Sequence, residues 1–123
     1  MDAAHTHWTF PAGYIPSRST GHEPEYTSRN VLCLLNATDR DACVRLTVFH
    51  EDRNPVDPYE VLVPRQRVRQ VRVNDLIDPE AVPLGQPYGV VLASDVPVSA
   101  QLLSVDTADG HYAVTILPGF PGT

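Results

Sequence analysis

The chain of 123 residues holds one domain's worth of core and is too short to bury a second. Its nine cations are all arginine and face fifteen Asp and Glu, for a net charge of −6; this excludes Schiff-base or lysine-nucleophile chemistry and a P-loop lysine, and argues against a surface that tracks phosphates. Twelve prolines scattered from Pro11 to Pro121 argue against long helices, and 42% apolar residues describe a globular chain.

The period that recurs is two, in short segments bounded by Pro, Gly, Asn and Asp. In chain order, strands are expected over Val31–Asn36, Cys43–His50, Tyr59–Val63, Arg67–Val73, Tyr88–Ser94, Val98–Val105 and His111–Leu117, with one more near Trp8–Phe10. About seven or eight short strands suit an all-β, single-domain antiparallel β-sandwich or small barrel. Ala37–Asp41 and Asp106–Gly110 read as hairpin loops, and Asp52–Pro58 as a longer turn set by Pro55 and Pro58.

Pairing Val31–Asn36 with Cys43–His50 about a turn near Thr38 puts Leu32 and Leu34 with Val44, Leu46 and Val48 on one face, the expected core. The opposite face collects Val31, Cys33, Leu35, Cys43 and Phe49, interrupted by Arg45 and Thr47. It is too apolar for a solvated surface, so another part of the sandwich or a neighbouring subunit is expected to cover it, which predicts a homo-oligomer. In Arg67–Val73, Val68 has one parity while Val71 and Val73 have the other, so a bulge near Arg69 or Gln70 is expected. At least one arginine there is drawn toward buried surface, where it needs carboxylate or carbonyl partners, unless the strand is a charge-protected edge.

No apolar run approaches the length of a membrane span, and Met1-Asp-Ala-Ala-His5 has neither the basic start nor the apolar stretch of a signal peptide. The expected location is the cytoplasm, with Cys33 and Cys43 reduced and buried as small hydrophobes. There is no CxxC, and His5, His7, His22, His50 and His111 form no ligand pattern, so neither a metal nor a cofactor is indicated. No nucleophile elbow, HExxH or glycine-rich phosphate loop is present.

Ordered pieces along nearly the whole chain, about 8–117, carry a resemblance. They are Trp8, Gly13-Tyr-Ile-Pro16, Glu23-Pro-Glu25, Ser28, Cys33-Leu-Leu-Asn-Ala37, Glu51-Asp-Arg-Asn-Pro-Val-Asp-Pro-Tyr59 and Val63-Pro64 with Arg67. Val71-Arg-Val-Asn-Asp-Leu76, Asp78-Pro79, Ser94-Asp-Val-Pro97, Gln101 and Asp106 complete the series. Together they resemble the sensory rhodopsin transducer family. The resemblance implies a β-sandwich subunit in a homotetramer, without catalytic activity, that binds small polar metabolites such as sugars and takes part in signal transduction. It also implies, as the alternative, an interaction module that docks on a membrane receptor. Nucleic-acid binding, a third reading, fits badly with the charge of −6.

Arg67 and Arg72 offer fixed forks of donors for an anionic or hydroxyl-rich ligand, or equally ion pairs with Asp75, Asp95 or Asp106. Glu25, Asn36, Gln101 and Asp106 supply the acceptors and donors a polyol needs, although Asn36 would also serve to cap the turn it precedes. Trp8 and Tyr14 provide flat faces for a sugar ring, and Trp8 would also seal one end of the core. The sequence departs from the family pattern at Ser104, Val68 and Gln70.

Overall fold

The computed structural model describes residues 3–19, 27–108 and 112–122. The strands are β1 (His5–Tyr14), β2 (Arg29–Asn36), β3 (Ala42–His50), β4 (Val56–Val63), β5 (Arg67–Arg72), β6 (Pro87–Asp106), β7 (Ala113–Leu117) and β8 (Phe120–Pro121), and a 3-10 turn covers Val73–Asp75. Every pairing is antiparallel. The all-β sandwich expected from the alternating pattern is the fold found.

β6 organises it. The expected strands Tyr88–Ser94 and Val98–Val105 are one strand of 20 residues. Its first half pairs with β1 and β3, and its second half with β2 and β7. The two layers, β4-β3-β6-β1-β8 and β5-β2-β6-β7, therefore share β6. Its even positions face inward throughout, with Tyr88, Val90, Leu92, Val96, Val98, Ala100 and Leu102 all buried. The change of partner falls at Asp95–Pro97: the β3 register ends at Ser94 and the β2 register begins at Ser99. Pro97 cannot donate to a ladder, so it sits where one ladder stops and the next has not begun. Asp95 fills the gap on the β3 side, its Oδ1 accepting the Cys43 N–H at 2.8 Å.

Ala37–Asp41 is not a hairpin loop. β2 pairs with β5 and β6, and β3 with β4 and β6, so this segment crosses from one layer to the other. The inference about faces holds for a different reason: both layers turn their inner faces to one core, and Leu32, Leu34, Val44, Leu46 and Val48 are all buried in it. The connection after β6 does join paired strands, with Asp106 opposite Ala113. The turn after β3 ends earlier than expected, because β4 begins at Val56 and takes in Pro58 as an exposed residue of an edge strand.

No bulge forms in β5, which runs in unbroken register with β2 from Arg67 opposite Asn36 to Arg72 opposite Val31. The parity conflict is resolved by exposure. β5 is the outermost strand of its layer, so Val68 faces outward at 67% exposure while Val71 and Val73 are buried. Arg69 has core parity, yet its guanidinium reaches past the open side of the sandwich and Nη1 donates to the Leu62 carbonyl of β4 at 2.7 Å. Arg69 is itself exposed, so β5 is the charge-protected edge strand named as the alternative.

β1 is much longer than Trp8–Phe10 because a one-residue shift between Phe10 and Gly13, taken up around Pro11, lets it continue past the proline. Gly13 lies under the Tyr88 ring: a Cβ there would stand 2.4 Å from Cζ. Trp8 and Phe10 stack with centroids 6.3 Å apart, and the Trp8 indole N–H donates to the Val98 carbonyl at 2.9 Å.

The cysteines depart from expectation, since Cys43 is exposed and Cys33 half-buried, and both are free thiols. Cys43 is the second residue of β3, whereas Cys33 lies in the β2 layer opposite Gln70 and Gln101. Burial pushes the Cys33 thiol up, and the thiolate is the nucleophile. Limited alkylation near neutral pH should therefore mark Cys43 first, as read by peptide mapping, and preferential loss of the Cys33 thiol would contradict this packing.

Candidate functional site

Ser28, Asn30, Leu32, Leu34 and Asn36 share one parity, so the inward face of β2 and its lead-in has an apolar middle and polar ends. All are buried. At one end the Asn30 carboxamide is fully engaged: Oδ1 accepts from the Tyr88 hydroxyl at 2.5 Å and the Tyr14 N–H at 3.3 Å. Its Nδ2 donates to the Tyr14 carbonyl at 2.9 Å and to Ser104 Oγ at 3.4 Å. Ser28 Oγ donates to the Arg18 carbonyl at 2.5 Å and accepts the Thr107 N–H at 3.0 Å. Asn74 closes the set, accepting from the Asn30 N–H and donating to the Ser28 carbonyl.

These bonds pin the segment after β1 against the end of the sandwich, and a cleft of about 480 Å³ opens beside it. Tyr14, Ser17, Arg18, Ser104, Asp106 and Thr115 bring hydroxyl, guanidinium and carboxylate groups to its walls. Asp106 is partly committed, because Oδ1 accepts the Ala108 N–H at 2.9 Å.

A second recess, of about 420 Å³, lies on the outer side of the β2 layer. Leu35, Val68, Gln101, Ile116 and Gly119 line it together with Trp8, and no charged side chain takes part. Leu35, Val68 and Ile116 are 46%, 67% and 59% exposed. The sequence marked the outer side of β2 as too apolar, and Leu35 indeed stands exposed there; Phe49 is exposed as well, but on the outer side of the β3 layer.

The candidate residues thus do not converge. Tyr14 and Asp106 meet in the polar cleft, while Trp8 and Gln101 meet in the apolar groove. Asn36 is wholly buried at the far end of β2 and bound to Arg40, Val63 and Thr38, a joint between turns with no capacity left for a ligand. Arg67 starts β5, opposite Asn36, and donates to the Gln66 carbonyl at 3.0 Å. Arg72, at the other end of β5, lies 3.8 Å from the Asp75 carboxylate, the ion pair held open from sequence. Glu25 falls outside the described residues. Sequence reasoning missed Asn30, Tyr88 and Thr107; the signal was the β2 alternation, which continues backward from Leu32 through Asn30 to Ser28.

Among the described residues no three His, Cys, Asp or Glu side chains gather as metal ligands, and no helix is long and apolar enough to cross a membrane. The architecture is that of a small antiparallel β-sandwich domain whose layers share one long strand. The chain belongs to the Anabaena sensory rhodopsin transducer family, whose model matches residues 3–121. Among solved structures, the Anabaena sensory rhodopsin transducer is 40% identical with a TM-score of 0.72, over 80% of this chain and 92% of that one. A Thermotoga maritima protein, number 1070, is 31% identical with a TM-score of 0.85, over 96% of this chain and 95% of that one. No curated protein sequence matches.

Proposed function

We propose that this protein is a non-enzymatic cytoplasmic transducer that docks on a receptor through the uncharged groove of the β2 layer. The observation that carries the reading is that groove: on a chain of net charge −6, it brings Leu35, Val68 and Ile116 to the surface without one charged group. Exposed apolar patches of this kind suit protein contact, and membership of a transducer family supplies the class of partner, a sensory rhodopsin. Binding to such a receptor in nanodiscs is expected to weaken roughly tenfold or more in Leu35→Arg, because a charge would be buried against an apolar partner. No binding by the parent protein, or equal binding by the variant, would overturn it. Self-association belongs to the same reading, and a mass of 13.5 kDa by light scattering at micromolar concentration would remove it.

A second reading rests on the cleft beside Tyr14, whose wall is held by buried hydrogen bonds and so is ready to bind without reordering. Its hydroxyls and Asp106 suit a sugar or related polar metabolite. A thermal-shift screen with sugars and sugar acids should raise the melting temperature for one class, with loss of the shift in Asp106→Asn. An unresponsive protein would leave the docking reading alone.

A further inference from the structure

An antiparallel sheet ends in strands whose outward N–H and C=O groups are unpaired, and proteins usually guard such edges with charge, proline or short length. Three of the four outer strands follow this practice. β5 carries Arg67, Arg69 and Arg72, and the Arg69 bond to Leu62 spans the side of the sandwich. β4 carries Asp57, Pro58 and Glu60, and β8 is two residues long with Pro121. β7 differs. Ala113-Val-Thr-Ile-Leu117 contains no charge and no proline, and has three consecutive β-branched residues. Among the described residues it pairs only with β6. Val114 and Ile116 are 56% and 59% exposed.

Where β7 ends, the apolar groove begins. Ile116 and Leu117 line it, and the chain continues along its wall through Pro118 and Gly119. A partner strand added to β7 in the antiparallel sense of this sheet would start beside Leu117 and run toward Ala113. The residues just before that strand would lie next to the groove. Five residues span only about 17 Å, so a strand ladder on β7 alone is short of what an interface of roughly 1,200 Å² needs, whatever chain supplies the strand. A segment that adds a strand and also seats an apolar side chain in the groove gains both main-chain and side-chain recognition.

Resting on the docking reading above, we infer that the partner enters as an extended, uncharged segment: an apolar anchor in the groove, followed by an antiparallel strand on the edge of β7 away from β6. The probe is a capped synthetic peptide with one leucine, a two-residue spacer, and then alternating valine and threonine, together with a version N-methylated at alternate amides. The parent peptide is expected to bind saturably and to slow amide exchange within 113–117 roughly tenfold, because the edge groups gain partners. The N-methylated peptide facing β7 with its blocked amides is expected to do neither. No slowing within 113–117, or equal binding of both peptides, overturns the proposal. Val114→Lys separates the two levels, since Val114 does not line the groove. Receptor binding that is lost in Leu35→Arg but unchanged in Val114→Lys would leave the docking reading in place and remove the strand, whereas loss in both supports it. A parent protein that binds no receptor, yet takes up the peptide on β7, would remove the docking reading and keep the edge site.

Discussion

Replacing Asn30 with alanine is expected to destabilise the protein by about 3–6 kcal/mol, since buried groups left without partners cost about 1–3 kcal/mol each. The orphans are the Tyr88 hydroxyl and the N–H and carbonyl of Tyr14, all of which Asn30 binds. Against a total stability of about 5–15 kcal/mol for a domain of this kind, that is a large fraction. Tyr88→Phe should cost only about 1 kcal/mol, because Asn30 Oδ1 keeps the Tyr14 N–H. In the double variant the phenol is no longer left behind, so the combined loss should fall short of the sum by about 1–2 kcal/mol. Urea denaturation followed through Trp8, the sole tryptophan, measures all three. An Asn30→Ala protein within about 1 kcal/mol of the parent would sink the account.

Alkaline pH tests the same residue. Burial pushes the Tyr88 phenol well above its ordinary value, so the folded protein keeps it neutral where the unfolded chain ionises. A phenol raised on folding contributes stability that is fully present below about pH 10 and is lost as the pH climbs through the folded value. Stability should therefore drop above about pH 10, and Tyr88→Phe should flatten that drop, leaving the share of Tyr59, which burial pushes the same way.

What was legible in the sequence was period and parity. The inward residues of β2 and β3 could be assigned without knowing that the two strands lie in different layers, because alternation reports a face and not a neighbour. The same limit explains the errors. Ala37–Asp41 has the turn chemistry of a hairpin, and nothing local distinguishes a hairpin from a crossing between layers. Pro97 read as a terminator although the even-position apolar series continues past it; the proline marks a change of partner rather than an end. The bulge expected in β5 assumed that Val68 needed burial, and an outer strand removes that need. The candidate site was least legible because Asn36, Arg67, Arg72 and Asp106 are polar residues at strand ends, where turn-making, ion pairing and ligand binding call for the same side chains. Only the tertiary placement separates the Asn36 joint from the Tyr14 and Asp106 cleft.

Asn36 gives the second large effect. Two connections that cross between the layers meet at this residue: Nδ2 donates to the Arg40 carbonyl at 2.7 Å and the Val63 carbonyl at 3.0 Å, while Oδ1 accepts the Thr38 N–H at 3.0 Å and its hydroxyl at 2.7 Å. The Gln66 N–H bond to the Thr38 carbonyl and the Arg65 N–H bond to Asp41 tie the same corner. Asn36→Ala should cost about 3–5 kcal/mol from the carbonyls and amide left unpaired, at any pH near neutrality. Asn36→Asp keeps the shape and the acceptor but turns an oxygen toward the Arg40 and Val63 carbonyls. That carboxyl is favoured in its protonated form when folded, so its folded value lies above the ordinary unfolded value of about 3.9. Stability it contributes is then present below that value and is lost as the pH rises through the folded one. The aspartate variant should be more stable than the alanine variant at about pH 4 and lose that advantage by about pH 7. Urea midpoints measured at the two pH values give the comparison, and parallel behaviour of the two variants would show that the Asn36 amide does not face those carbonyls.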